Sequence, residues 1–152
     1  MAYYRDSVQE DVFELAKKMR QADVREVKAS NGASPLEALQ RGFEASKPQS
    51  IIHKGELIGM FGCAHIDELR GSPWMLGSDK IPQIRKDLLT QSVEWVKEVN
   101  KQYPLLINYV DANNKVSINW LKHIGFSFVQ LIPKFGVGGI PFYEFVRINQ
   151  NV

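Results

Sequence analysis

Residues 113–128, NNKVSINWLKHIGFSF, restrict this chain more than any other stretch. The apolar run Leu105–Val110 ahead of them reads as a buried strand. The pair Asn113-Asn114 opens roughly three turns of amphipathic helix, and Gly125 stops it. Phe126, Phe128 and Val129 then read as a further strand. With the strand and long helix ahead of it, this segment completes a middle β-α-β-α unit, which implies parallel pairing within a sheet.

The bulk properties suit one domain. With 152 residues, the chain can bury roughly two thirds of its unfolded surface, so it needs no disulfide or metal to fold. A net charge of +2 is too balanced for a nucleic-acid or anionic-membrane partner. The single Cys63 excludes an intramolecular disulfide and fits a reducing compartment. The N-terminal residues MAYYRDSVQEDVFEL carry charge in every turn and are no signal peptide. No apolar run approaches the ~20 residues of a membrane span. The expected location is the cytoplasm, or a particle assembled there.

Along the chain, Ala2–Arg5 suits a short first strand. Ser7 with Glu10 forms a capping-box pattern, and Val8, Val12, Leu15, Ala16 and Met19 follow helical spacing. After a break at Asn31–Ala33, Ser34, Pro35 and Glu37 mark a second helix start, with Leu36, Leu39 and Phe43 as its stripe. Ser50–His53 and Glu56–His65 read as a hairpin turning at Lys54-Gly55. Alternation puts Ile58, Met60, Gly62 and Ala64 on one face and Leu57, Gly59, Phe61 and Cys63 on the other. Arg70–Pro73 reads as a loop, Trp74–Leu76 as a short strand, Gly77–Lys80 as a turn and Ile81–Lys101 as a long helix. Helix Lys115–Ile124, strand Phe126–Leu131, a Gly-rich loop and strand Pro141–Ile148 complete the chain. The predicted order is β-α-α-β-β-β-α-β-α-β-β, a mixed α/β sheet.

This order, with its Asn–helix–Gly–Phe segment, resembles the GNAT N-acetyltransferases over nearly the whole chain. The resemblance implies acetyl-CoA or CoA as ligand. Asn114 would lie beside the pantetheine arm, and Ser117 would let that arm pass close to the helix. Met75 and Leu76 would hold it by backbone hydrogen bonds where Trp74–Gly77 splays from Leu105–Val110. Gly77, Ser78 and Lys80 would stand at the pyrophosphate. Read alone, Asn114 suits a helix cap better than a ligand contact, and Gly125 is what a helix end needs for a left-handed residue.

Two positions depart from the family pattern. Leu121 stands where the family often has a Tyr that protonates the leaving thiolate, and a leucine donates no proton. The stretch Leu76–Pro82 has one glycine, at a different offset from the family's phosphate loop. Its Asp79 adds negative charge and also suits an N-cap, Pro82 removes an amide, and Lys80, Arg85 and Lys86 offer charge instead.

Trp74, Ser78, Asp79, Arg85 and Lys86, together with Asn119–Gly125 (NWLKHIG), are similar to the internal virion protein A family of short-tailed bacteriophages. That resemblance implies a degenerate site with weak or no catalysis and a role in a virion core or its assembly. It also implies a virion or host protein partner, in the host cytoplasm or the particle. The alternative is an active N-acyltransferase acting on a protein or small-molecule amine.

Other reactive residues are dispersed. His53, His65 and His123 lack metal-ligand spacing, so no metal is expected. Cys63 and His65 share a strand face, as a reactive pair or as buried packing. Asp67 and Glu68 are a general base or plain loop charges. FGVGGIPF, residues 135–142, joins two strands and is no nucleotide loop. Its flanking aromatics are packed or touch a partner. An enzyme requires an open cleft between the fourth and fifth strands. A scaffold requires that cleft closed by Trp74 or Trp120, with an exposed apolar patch elsewhere.

Overall fold

Among the described residues seven strands make one sheet in the order β1-β2-β3-β4-β5-β7-β6. The structure, a computed structural model, describes residues 2–149. The strands are β1 (Tyr3–Asp6), β2 (Gln49–His53), β3 (Glu56–His65), β4 (Arg70–Gly77), β5 (Leu105–Asp111), β6 (Ser127–Phe135) and β7 (Ile140–Ile148). Every neighbouring pair is antiparallel except β4 and β5. The helices are α1 (Gln9–Ala16), α2 (Gln21–Asn31), α3 (Pro35–Ala45), α4 (Arg85–Gln102) and α5 (Lys115–His123), with a 3-10 turn Ile81–Ile84 leading into α4. The predicted mixed α/β order holds, with the first helical stretch divided into α1 and α2.

That division has a tertiary cause. Met19 bridges to Ser78, and Arg20 donates its N–H to the Gly77 carbonyl at 2.9 Å. The chain must leave helical geometry to reach the end of β4. The capping at its start also differs from expectation. Ser7 bonds Ser50 through its hydroxyl, and Asp11 accepts the Val8 N–H at 2.9 Å. Asp11 is buried, and it also takes two bonds from Arg5 and one from Ser50. Burial pushes its carboxyl up, but these donors together hold it below the usual carboxylate range. Ser34 and Glu37 do form the expected capping box on α3.

The helices cover both faces of the sheet. On one, Val12, Leu15, Met19 and Leu39 of the α1–α3 side pack on Ile52, Leu57, Met60 and Leu76. On the other, Val96 and Ile118 pack with Leu106, Val110 and Phe145. A second cluster there joins Ile81, Ile84 and Leu88 to Ile51 and Ile58. The strict alternation predicted for β3 fails at its start. The register shifts between Ile51 and Ile52, a bulge that sends Leu57 to the Met60 face and Ile58 to the Phe61 face. The hairpin turn is as expected, with Lys54 and Gly55 at φ 52° and 76°.

Candidate active site

The site begins where a ladder stops. β4 and β5 pair only at Arg70–Leu105 and Gly71–Leu106, and then they part. Residues 70–73, expected to be a loop, are strand, because Pro73 turns its missing N–H toward the gap, where no ladder bond is needed. Its carbonyl accepts from Asn108 Nδ2 at 2.7 Å, and Asn108 Oδ1 accepts the Tyr109 N–H at 2.8 Å. The Asn108 side chain therefore fills the crotch of the fork.

Successive residues of a strand turn their backbone groups to opposite edges. Pro73 and Gly77 both face the β5 side, since Gly77 N–H donates to Asp23 at 2.9 Å and its carbonyl takes the Arg20 N–H. Met75, midway between them, presents its own N–H and C=O to the gap. Leu76 faces the other way, toward Met60 of β3. Of the two strand residues expected to bond a ligand through their backbone, only Met75 has the orientation for it.

The gap is a cleft of about 410 Å³, within the ~300–1,000 Å³ of small-molecule sites. Its walls come from both faces of the sheet: Glu26 and Gly42 on one side, Trp95, Ser117 and Trp120 on the other. Both tryptophans named as possible plugs line it without closing it. Trp74 is drawn toward α3, where its Nε1 donates to Ser46 Oγ at 3.2 Å and its ring lies against Gly42. A Cβ at Gly42 would fall 2.6 Å from that ring. Trp120 packs on the Ile81–Leu88 cluster.

α5 forms as its sequence requires. Asn114 Oδ1 accepts the Ser117 N–H at 3.2 Å, and Gly125 ends the helix at φ 100°. The cap uses only half of the Asn114 amide. Among the described residues, three buried side-chain atoms lack a hydrogen-bond partner, and two of them are α5 donors: Asn114 Nδ2 and Trp120 Nε1. Buried donors are rarely left unmatched, and these two find no acceptor within the folded chain. The cleft, the Met75 edge and the Trp120 indole on its wall fit the carbonyl-rich pantetheine arm of CoA. Ser117 and Trp120 line the cleft directly, whereas Asn114, Gly77, Ser78 and Lys80 do not.

The expected phosphate loop is occupied by the protein itself. Ser78 N–H bonds the Ile58 carbonyl, Ser78 Oγ accepts the Lys80 N–H, and Ile81 N–H bonds the Ser78 carbonyl. Asp79, expected as an N-cap, is exposed and caps nothing: the cap residue of the 3-10 turn is Lys80, without a side-chain cap bond. Gly77 is small for Ile81, since a Cβ there would lie 2.5 Å from its side chain. Lys80 pairs with Glu56 at 2.7 Å, leaving Arg85 and Lys86 as exposed cations without an ion pair among the described residues. A diphosphate here would meet charge rather than a nest of free amides.

Two residues that the sequence reading passed over stand on α2. Asp23 and Glu26, one turn apart, each accept a backbone amide from a parted strand, Gly77 and Asp111 respectively. Asp23 is paired with Arg20 at 2.8 Å, and burial still pushes it up. Glu26 has no cation of its own. Burial first, then the charges of Asp23 and Asp111, raise its carboxyl to about 7, against the lowering effect of the Asp111 amide and Arg20.

The sequence-level reactive pairs dissolve. His65 Nδ1 lies 3.0 Å from Tyr103 Oη, not beside a reactive thiol, and burial pushes Cys63 up to about 11. Asp67 accepts from Leu69, Arg70 and the Arg70 side chain, which makes it a loop charge, and neither it nor Glu68 lines the cleft. Phe135 of the Gly-rich hairpin stacks on Tyr109 at 4.7 Å and packs on Phe142 at 4.6 Å. The loop itself is fastened to the end of α2, where Val137 and Gly138 donate to the Ser30 and Ala29 carbonyls. Among the described residues no group of three or more His, Cys, Asp or Glu stands together to hold a metal, and no helix is long and apolar enough to cross a membrane.

No protein-family model matches the chain, and no curated protein matches it. Solved structures do match in fold. An acetyltransferase of the GNAT family from Bacillus anthracis superposes with a TM-score of 0.72 at 13% identity, covering 97% of this chain and 94% of that one. Ard1 from Thermoplasma volcanium gives 0.70 at 14%, covering 97% of both chains. A GNAT family acetyltransferase from Elizabethkingia anophelis, solved with acetyl-CoA bound, gives 0.66 at 11%, covering 97% and 98%. At such identities the likeness establishes the fold: this is a GNAT-type α/β sheet.

Proposed function

We propose that the chain binds a CoA thioester in the cleft between β4 and β5 and transfers its acyl group to an amine. The observation that carries this reading is the unpaired edge of Met75, facing an open cleft at the one parallel junction of the sheet among the described residues. The Met75 N–H and C=O would hold the pantetheine arm as a strand holds its neighbour. Asn114 Nδ2 and Trp120 Nε1 would donate to its carbonyls, and Ser117 would flank it. Arg85 and Lys86, with Lys80 nearby, would offer charge to the diphosphate, and Gly77 and Ser78 would shape that turn without lending free amides. When bound, the thioester supplies the acyl group. With Leu121 at its position, α5 supplies no phenolic acid to the departing thiol.

The second reading is an assembly protein on the same fold, in a virion or with a host partner. Its support is the internally satisfied loop at Gly77–Ile81 and an exposed groove at Phe13 and Leu36, which are 50% and 43% accessible. Calorimetric titration with acetyl-CoA and CoA separates the two. Micromolar binding that weakens in Asn114→Ala supports the cleft as a cofactor site. No heat at millimolar acetyl-CoA leaves only the assembly reading.

A further inference from the structure

Glu26 is built into the cleft in a way that the capping of Asp111 alone does not require. Its Oε1 is fixed by the Asp111 N–H at 2.7 Å, while its other oxygen has no hydrogen-bond partner among the described residues. The residue lines the cleft on the face opposite Ser117 and Trp120. Arg20, which caps the start of the same helix and whose charge acts on Glu26, is engaged by Asp23. Asp111 of β5 is buried and spends one carboxylate oxygen on the Asn113 N–H. From α3, Arg41 reaches the same cleft, and from β5 the neutral Tyr109. Tyr109 is itself held up by burial and by Glu144. Glu26 is therefore one rigidly held carboxylate, without a counter-ion, opposite the ligand-facing helix.

Resting on the acyl-transfer reading above, we propose that Glu26 is the catalytic residue that takes the proton from the acceptor amine, and that the acceptor is a primary amine entering as its ammonium ion from the α2–α3 side. In that step one N–H bond of the ammonium breaks and an O–H bond forms at the free carboxylate oxygen of Glu26. The nitrogen keeps the electron pair and becomes the neutral nucleophile. The proton then passes to water at the cleft mouth. Burial raises Glu26 to about 7, where roughly half of the carboxyl is ionised at neutral pH and the carboxylate is basic enough to compete for an ammonium proton. The Trp74 and Tyr109 rings line the same cleft and suit the hydrocarbon next to such an amine.

The test uses the full chain with n-butylamine as the acceptor probe. Carbon-13 labelling of glutamate side-chain carboxyls follows Glu26 through a pH titration with and without the amine, and Glu26→Gln assigns its signal. Glutamine can still accept the Asp111 amide, so the variant should fold, and its circular dichroism checks this. The expected result is a Glu26 signal titrating near 7 that moves when n-butylammonium is added. Glu26→Gln should bind acetyl-CoA as the wild type does, with transfer to n-butylamine lower by at least about 100-fold and no pH limb near neutrality. A Glu26 carboxyl that ignores the amine at every pH, or wild-type transfer in Glu26→Gln, overturns the assignment while leaving the cleft reading intact. Failure of wild-type protein to bind acetyl-CoA would remove that reading itself.

Discussion

Asp23 and Glu26 stand one turn apart on α2 and grip the two strands that part beneath them, Asp23 at the Gly77 amide (2.9 Å) and Glu26 at the Asp111 amide (2.7 Å). Parted parallel strands leave inward-facing amides without partners, and in a closed fold those must be matched. Here one helix face does the matching with carboxylates. The sheet stays open, and the cost is negative charge in a partly buried place.

That cost is measurable. A carboxyl raised from its ordinary 4.5 to about 7 binds more protons folded than unfolded across that interval. Stability must then fall as pH rises from about 4.5 to about 7, by on the order of 3 kcal/mol for this group. Glu26→Gln removes that loss. At pH 8 it should unfold at higher denaturant concentration than the wild type, and the two should converge near pH 4. Parallel stability–pH curves would show that Glu26 carries no such burden.

Trp120 yields a prediction of opposite kind. Its indole N–H has no acceptor in the folded chain, so Trp120→Phe sacrifices no internal bond. Thermal unfolding should be unchanged or improved by up to about 1 kcal/mol. If that donor serves the ligand, acetyl-CoA affinity should drop roughly 5- to 10-fold, the worth of one hydrogen bond. A variant of lower stability and unaltered affinity would place the donor in internal packing.

The Gly-rich hairpin tip is a latch. Gly136 has φ 64°, and a Cβ there would come within 2.2 Å of the Ser30 carbonyl, whereas Gly139 at φ 61° has open space around it. Gly136→Ala should detach the tip from α2, with faster amide exchange at Val137 and Gly138. Gly139→Ala should cost only the ~1 kcal/mol of a left-handed backbone. Equal exchange in both variants would show that the tip is held elsewhere.

The sequence made some of this legible and hid the rest for physical reasons. The Ser34 box, the Lys54-Gly55 turn and the Asn114-to-Gly125 helix are local, since each residue's partner lies within a few positions. The splay was anticipated from resemblance, but its wedge, Asn108, looks like any polar residue in a strand until Pro73 is placed opposite. Glu26 was invisible because α2, QADVREVKASN, reads as a solvated polar helix, and its partner Asp111 lies 85 residues away. Pro73 misled because a proline inside a strand signals a loop unless its bare edge faces a gap.

Titrating nitrogen-15-labelled protein with acetyl-CoA tests the central claim most directly, through the Met75 amide and the Trp120 indole resonance. The account predicts that both move together and saturate with one dissociation constant, with Ser117 following. Shifts confined to Arg85 and Lys86, or none at millimolar ligand, would contradict it and leave the open cleft without a thioester to bind.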